Sequence, residues 1–484
     1  MTAEAKPLPQ AIRPSGAHIA FAAYVAGKVA LALLYGPLTA PDSGGYTGFA
    51  DSILSGRYIL NPAELNGSDS SVFRMPGYPA LIALAKVFFE DNWALALIQA
   101  QTLVSVTVTC LLFRASQTYT RRPWIAWAVA TSYALSPLLQ LDLFILTDSL
   151  YINLLVLVLL ALLALSARPS GRIAGPSLVI GAALPAAFLL REATWPLGLL
   201  FGIPLVVCLL RDHRSVLKKT LVLSIALMPL VCASTAIGLW NEHRTGVNFI
   251  TTGTRTALLL SLLTLEGNGT PVFQGDTPLD QAARKAMAES HNVPKDFGIT
   301  ESLAANGFLL TQGMNEIEVQ KLVTSRFREV FVFHPDTIVR RFLQTFGKDV
   351  LFFTFNAPTL LRDLDYWVNT GRFEGIRAFL SKAWNYPSPG RIIWLGTEIA
   401  ARLIALVILV LYVTAPIGLW LTRKDRPWQL PLALWLAANG FCGAYSLVHL
   451  EPRYLAGLLP VIWLVALGSW DNVASKWWGR YRAA

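Results

Sequence analysis

Carboxylates and arginines stand at the ends of several long apolar runs in this sequence. Asp42 lies in PDSGGY, Arg74 in FRMPGYP and Asp148 in LTDSLY, while Arg191 and Arg453 occupy short polar turns further along the chain. A carboxylate can accept a proton from a reacting group, and the planar fork of an arginine can bind an anion. Carboxylates and arginines at the ends of separate apolar runs together predict a functional site.

Each candidate also has a plain structural interpretation. The candidate site residues are Asp42, Tyr46, Arg74, Tyr78, Asp148, Arg191, His449, Glu451 and Arg453. Asp42 would suit the N-cap of a helix, and Asp142 fits a turn near water. Glu451 and Arg453 would simply pair with each other, and Arg191 would serve as an anchor at the membrane interface. A functional site requires that these residues converge.

The composition indicates that the elements carrying these residues lie in a bilayer. Hydrophobic residues make up 54% of the 484 residues and charged residues only 14%, against about 45–50% and about 25% in soluble domains. This excludes a disordered chain and disfavours a soluble enzyme. The four cysteines lie in apolar runs without a CxxC pair, so neither a disulfide framework nor a zinc site is predicted.

The apolar runs predict an all-α polytopic membrane protein with about ten transmembrane helices. A bilayer core about 30 Å thick needs roughly 20 apolar residues per helix. The segments that meet this requirement are 17–38, 94–113, 123–140, 143–166, 173–190, 194–210, 218–240, 393–421, 427–448 and 454–470. The segment 77–89, GYPALIALAKVFF, is too short to span. It is predicted to form a re-entrant or interfacial helix on the outer side.

The distribution of basic residues predicts the orientation. Lysines and arginines concentrate in alternate connections, whereas the short turns on the other side hold only Arg191 and Arg453. By the positive-inside rule both termini are cytoplasmic. The net charge of +10 is then largely a topology signal, and the near-neutral stretch 241–392 leaves no basic domain for nucleic acid. We therefore expect a multi-pass protein of the inner (plasma) membrane whose candidate site faces the extracytoplasmic side.

Three parts follow from this topology. Residues 1–240 carry the first seven spans and the outer loop 39–93, residues 241–392 form an extracytoplasmic segment, and residues 393–484 carry the last three spans and a basic tail. Within the extracytoplasmic segment, residues 315–353 have the apolar spacing of a helix that breaks at Pro335. We predict that this segment is mostly helical.

One lysine falls inside a predicted span, and several common catalytic motifs are missing. Lys28 lies in the middle of the first span, where a charge is costly. We expect it to pair with a carboxylate inside the bundle or to bend toward an interface. The sequence has no Walker A loop, GxGxxG, HExxH or GxSxG motif. This argues against an ATP-driven pump, a nicotinamide enzyme and a zinc protease.

Several motifs resemble those of a known family. DSGGYTGFADSILSGRY followed by FRMPGYP resembles the first outer loop of membrane-embedded GT-C glycosyltransferases, in the bacterial branch related to aminoarabinose transferase and protein mannosyltransferases. LTDSLY resembles the second acidic motif, where Glu is commoner than Asp. FREVFVFHPDTIVRRFL resembles a helix of the long outer segment, and EPRYLAGLLP the closing motif. The matches occur in order along the chain and imply a GT-C-like fold.

The resemblance implies that the protein transfers a sugar from a polyprenyl-phosphate donor, with inversion, to an extracytoplasmic acceptor. Asp42 would be the general base, and Asp148 would orient the acceptor or the base. The residues that would bind the donor phosphate are Arg74, Arg191 and Arg453. Those that would contact substrate are Tyr46, Tyr78, His449 and Glu451. No cofactor is predicted: some relatives use a divalent metal, but two carboxylates are too few to predict a site for one.

Two other classes of function remain open. A lipid-linked sugar transporter or flippase would share the buried charges, although such proteins often consist of paired halves. Here seven predicted spans precede the outer segment and three follow it. A glycan ligase or polymerase would share the outward site. The expected partners are the bilayer, the donor and an acceptor of unknown class, namely a glycolipid, a polysaccharide or a protein.

Overall fold

A computed structural model describes most of the chain. The described residues are 16–56, 70–167, 173–210, 215–294, 297–333, 335–345, 385, 389–424, 427–448 and 452–483. Within these ranges the regular structure is helical, and the β-type pairing is limited to an isolated parallel bridge between Leu38 and Phe144. The prediction of an all-α protein is confirmed.

The first half of the chain is built from apolar helices joined by short turns. The helices are α1 (Gly16–Tyr35), α2 (Ser43–Leu54), α3 (Ser70–Phe73), α4 (Gly77–Phe89), α5 (Trp93–Thr120), α6 (Pro123–Ala134), α7 (Leu138–Leu141), α8 (Asp148–Ala167), α9 (Ala174–Leu190), α10 (Thr194–Leu210) and α11 (Val216–Thr245). A short 3₁₀ turn, Glu90–Asn92, joins α4 to α5.

The second half begins with shorter and more polar helices and returns to long apolar ones. The helices are α12 (Thr254–Gly267), α13 (Pro278–Ala288), α14 (Ile299–Thr311), α15 (Glu316–Phe333), α16 (Pro335–Thr345), α17 (Pro389–Val413), α18 (Ala415–Thr422), α19 (Gln429–Val448), α20 (Pro452–Leu455) and α21 (Leu459–Ala483). The predicted helix break before Pro335 lies between α15 and α16.

Among the described residues, five helical stretches are long and apolar enough to cross a membrane. They are Gly77–Thr120, Asp148–Ser166, Val216–Thr245, Leu395–Val413 and Gln429–Val448. Helices also cover the other predicted spans, but α1, α9 and α10 are shorter apolar helices. The chain is therefore an all-helical protein of the multi-pass membrane type, and the number of spans stays a prediction.

Three predicted spans are divided or shortened by their local sequence. Residues 123–140 form α6 and the single turn α7, separated by a turn that includes Pro137. Residues 393–421 break at Thr414, directly before α18. The span predicted from residue 143 begins only at Asp148, because 142–147 form turns and the bridge to Leu38 instead of a helix.

Helices α4 and α5 form a hairpin. The chain reverses at Glu90, whose φ of 46° is in the left-handed region, and the two helices pack side by side. The Tyr78 hydroxyl on α4 donates a 2.8 Å hydrogen bond to Gln101 Oε1 on α5. This hairpin agrees with the helix predicted at 77–89, whose re-entrant or interfacial placement stays a prediction.

The apolar side chains form two main clusters. The larger one contains most of the buried residues of α4–α11 and of α17–α21. The second is formed by α12–α15, with Leu259, Leu263 and Val323 fully buried. Two short segments of the larger body, 38–43 and 142–148, run beside each other and lead directly into the candidate site.

Candidate functional site

Asp42 lies directly before α2 without capping it. Its side chain makes no capping hydrogen bond to the helix. Instead, Oδ1 accepts a 2.7 Å charged hydrogen bond from Nη2 of Arg74. The N-cap interpretation of Asp42 is therefore wrong for this structure, and the carboxylate belongs to a group of ionic residues.

Arg74 lies between α3 and α4 and bridges an acid and a phenol. Besides Asp42, its guanidinium donates to the Tyr46 hydroxyl at 3.2 Å and stands 4.7 Å from the Tyr46 ring centre. Burial by itself would lower the pKa of Arg74, but Tyr46 and Asp42 outweigh burial and raise that pKa above its ordinary value. Arg74 is therefore a permanent cation at this site.

Asp148 is the first residue of α8, and two arginines from distant parts of the chain reach it. Arg191, at the end of α9, lies 2.6 Å from Oδ1. Arg453, in α20, places Nη1 3.6 Å from Oδ2 of Asp148 and Nη2 4.0 Å from Oδ2 of Asp42. Arg453 thus lies within 4.0 Å of both carboxylates, and the expected pair with Glu451 falls outside the described residues.

These five residues form one continuous ionic cluster, with three formal positive charges against two negative ones. Asp42 is the most accessible of them, with 42% of its side chain exposed, whereas Asp148 is 4% exposed. The arginines are partly buried. An excess of cations beside one accessible carboxylate can bind an anion and still leave a base next to it.

Tyr46 and Tyr78 pack underneath the cluster. Their rings meet edge to face with centres 5.3 Å apart, and both side chains are buried. The Tyr46 hydroxyl lies 3.4 Å from Thr147 Oγ1. Tyr46 thus contacts Arg74 directly and Tyr78 packs against Tyr46. Direct contact of either residue with a substrate stays a prediction. His449 and Glu451 lie outside the described residues.

Two threonines that follow α11 bond to residues 72–76, the segment around Arg74 that is called the Arg74 loop here. The sequence did not predict this contact. The backbone N–H of Thr252 donates to the carbonyl of Val72 at 2.9 Å, and Thr251 Oγ1 donates to the carbonyl of Phe73 at 2.7 Å. Thr252 Oγ1 in turn donates to Glu316 at 2.7 Å. No local pattern distinguishes these two threonines from other polar loop residues.

A second ionic pair lies close to the site. Lys28 and Asp142 are both buried, with 2.7 Å between Nζ and Oδ2. Lys28 therefore pairs with a carboxylate inside the bundle, one of the two arrangements expected for it. Asp142 does lie in a turn, but the expectation that it is near water is wrong, because its side chain is fully buried. A lysine in the middle of a predicted span needs a partner of opposite charge. The position of Lys28 was therefore the sequence feature that could have predicted this pair.

The described residues provide no obvious metal centre. No group of three or more His, Cys, Asp or Glu side chains within the described ranges could hold a metal ion. Asp42 and Asp148 instead direct their oxygens at arginines. The arginines of the cluster could bind an anionic ligand.

Comparison with known proteins finds a distant structural similarity to a solved structure. No family model and no curated protein matches this sequence. Among solved structures, the chain is similar to the crystal structure of ArnT from Cupriavidus metallidurans bound to undecaprenyl phosphate, at 14% identity and a TM-score of 0.38. The similarity covers 94% of this chain and 78% of that chain. At this TM-score, the likeness carries no argument about the function of this protein.

Proposed function

We propose that the protein is a membrane glycosyltransferase of the GT-C type that moves a sugar from a polyprenyl-phosphate donor to an extracytoplasmic acceptor. The observation that carries this proposal is the convergence of Asp42 and Asp148 with three arginines into one cluster, from five separate segments of the chain. The motif resemblance of the sequence supports it independently.

The arginines match the leaving group of this reaction. As the bond between the anomeric carbon and the phosphate oxygen breaks, the electron pair of that bond stays on the phosphate. Arg74, Arg191 and Arg453 would stabilise this growing negative charge through charged hydrogen bonds. A donor phosphate would replace Asp42 as the acceptor for Arg74. It would also accept from Arg453, which lies 4.0 Å from Asp42.

Asp42 is the proposed general base. The hydroxyl oxygen of the acceptor attacks the anomeric carbon from the side opposite the phosphate, its proton passes to Asp42, and the configuration inverts. Its exposure favours Asp42 over Asp148 for this role, since the acceptor must reach the carboxylate. Asp148 lies buried between Arg191 and Arg453. We propose that it holds both guanidinium groups in place.

The surroundings of the cluster suit a lipid-linked donor. The site lies where α8 begins and α9 ends, next to apolar helices that would contact the polyprenyl chain. The distribution of basic residues supports an extracytoplasmic site in the inner membrane. The bonds from Thr251 and Thr252 to the Arg74 loop support the proposal that the segment 241–392 presents the acceptor. Glycolipid, polysaccharide and protein acceptors are all compatible with the cluster.

The test is a transfer assay with purified protein in nanodiscs. Radiolabelled polyprenyl-phosphate hexoses and pentoses are supplied with membrane extract, and loss of sugar from the carrier is followed. We expect wild type to consume one donor. The transfer rate of Asp42→Asn should be at least about 100-fold lower than that of wild type, because a general base typically contributes that much. Asp51→Asn is the matched control, because Asp51 lies on the same helix and pairs with Lys86 at the surface.

Two results would contradict the proposal. Near-normal transfer by Asp42→Asn would make Asp42 structural. No consumption of any donor by folded wild-type protein would move the assignment to a lipid-linked sugar transporter or a glycan ligase, and translocation of labelled lipid would then be measured.

A further inference from the structure

We propose that the buried pair Lys28–Asp142 positions the segment 142–148, and through it Asp148, for the transfer reaction. The proposal rests on the function proposed above. It assigns a role to two charges that the transfer chemistry itself does not use. The argument follows the hydrogen bonds outward from the Asp142 carboxylate.

Charged side chains inside membrane-spanning helices are rare because their burial is costly. Lys28 on α1 contacts Asp142 at 2.7 Å and also donates to the carbonyl of Leu138 at 2.7 Å. Burying both charges costs several kcal/mol of desolvation, and apolar residues of similar volume are often as stable or more so. Stability is therefore a weak explanation for the pair, and fixing one specific arrangement is the better-attested use of such pairs.

The Asp142 carboxylate ties three helices together. Oδ2 accepts from Lys28 on α1, and Oδ1 accepts from Ser105 on α5 at 2.7 Å and from Ser149 on α8. Asn153, one turn further along α8, donates to Ser105 Oγ at 2.8 Å. Since Ser149 directly follows Asp148, its bond to Asp142 closes the segment 142–149 into a loop.

Side-chain and backbone bonds hold this loop from both sides. Gln101 Nε2 donates to the carbonyls of Asp142 and Phe144 at 3.0 and 3.2 Å. On the other side, Leu38 bonds to Leu143 and Ile145 through the parallel bridge, at 2.8 and 2.9 Å.

The loop is also joined to the segment that carries Asp42. Ser43, the neighbour of Asp42, donates its hydroxyl to the carbonyl of Ile145 at 2.9 Å. The segments that carry the two carboxylates of the site are thus bonded directly to each other. The anchor of this assembly is a carboxylate that the substrate does not touch, so Asp142 and Lys28 are positioning residues.

The test replaces the pair by apolar residues of similar size. In Lys28→Met/Asp142→Leu no charge remains unpaired, so we expect a thermal unfolding midpoint close to that of wild type. We expect kcat for the polyprenyl-phosphate sugar that wild type consumes to fall by about 10- to 100-fold, the cost of a small misplacement. The effect should be larger on kcat than on KM, because correct placement matters most in the transition state.

Ser149→Ala provides a second test if the double variant does not fold. It keeps the ion pair and removes only the bond that closes the loop, and we expect kcat to fall about 2- to 10-fold, the usual value of one hydrogen bond. Ser177→Ala is the matched control, since Ser177 is equally buried but bonds only within its own helix region, to Ile173. Full kcat in the folded double variant, or in Ser149→Ala, would overturn the proposal.

Amide hydrogen exchange separates this inference from the proposed function, because it needs no substrate. We expect the amides of residues 143–147 to exchange faster in the double variant than in wild type. Unchanged exchange would overturn the positioning role. Faster exchange in a protein whose wild type transfers no sugar would leave the loop-holding role standing while the proposed function fails.

Discussion

At the scale of single residues, the geometry of Arg74 is the most specific feature of the site. Its guanidinium donates hydrogen bonds to Asp42 and to the Tyr46 hydroxyl from two different nitrogens, at 2.7 and 3.2 Å. The same group stacks over the Tyr46 ring. An ammonium group carries the same charge but cannot reproduce this planar fork. The position therefore depends on arginine and not only on a positive charge.

Arg74→Lys should weaken recognition of the donor phosphate. A charged hydrogen bond is worth about 1.5–3 kcal/mol, so we expect the donor KM to rise by about 10- to 100-fold. Arg122→Lys is the control: Arg122 also bonds two acceptors, Asp471 and Ser475, but lies away from the site. An unchanged donor KM in Arg74→Lys would remove Arg74 from the phosphate site.

Glu301, on α14, should make the packing of helices α12–α15 sensitive to acid. Burial alone would raise its pKa, but hydrogen bonds from Ser290, the Gly298 backbone and Asn292 outweigh burial and lower that pKa from 4.5 to about 2. The charged form is thus favoured by folding. Its contribution, on the order of 3 kcal/mol, is fully present above about pH 4.5 and is lost as the pH falls toward 2.

The thermal unfolding midpoint of wild type and Glu301→Gln, followed from pH 7 to pH 2.5, measures this contribution. We expect wild type to be more stable at neutral pH and the difference to shrink below pH 4.5. Glu289→Gln is the matched control, because Glu289 is exposed and lies 4.0 Å from Lys285. A constant difference across the whole range would contradict the assignment.

At the scale of elements, close helix packing depends on small residues. Helices α9 and α11 approach where Gly181 faces the backbone of Ile225, and a Cβ at residue 181 would collide with the Ile225 carbonyl oxygen. Apolar side chains gain little from associating inside lipid, so membrane helices use such small residues to bring backbones together.

Gly181→Ala should therefore destabilise the protein by about 1–3 kcal/mol, the usual cost of overpacking. Gly175→Ala is a matched control on the same helix, because a Cβ there meets nothing within 4 Å. The thermal unfolding midpoints of the two variants in nanodiscs give the comparison. Equal midpoints would show that α9 and α11 do not pack as closely as the structure places them.

At the scale of the whole molecule, the long apolar helices and the more polar helices that begin with α12 meet around the Arg74 loop. The polar ends of several apolar helices gather on this side, and the basic connections lie elsewhere in the sequence. If the positive-inside rule holds, the end of α5 and the loop before α13 must lie on opposite sides of the membrane.

This topology can be tested with single cysteines in a background without the four natural ones. Gln117→Cys is placed at the exposed end of α5, and Asp276→Cys at a side chain that is 99% exposed. In sealed right-side-out vesicles, an impermeant maleimide should label only residue 276. Labelling of both residues would contradict the orientation and the extracytoplasmic site.

The sequence by itself determined the helical class, the position of most apolar helices and the polar positions at their ends. Asp42, Arg74 and Asp148 could be selected because each is a local exception, an ionisable residue at the edge of an apolar run. Burial of apolar surface is a property of a segment's own composition, and therefore short windows of sequence carry this information.

Only the tertiary structure decided which of these groups meet. The partner of Lys28 is Asp142, and Thr252 holds the Arg74 loop from 180 residues away. Likewise, the start of α8 at Asp148 depends on the bridge between Leu38 and Phe144. Such contacts depend on the packing of whole helices against each other, and the strength of an ionic pair depends on how deeply that packing buries it. Neither property is encoded in the spacing of residues along the chain.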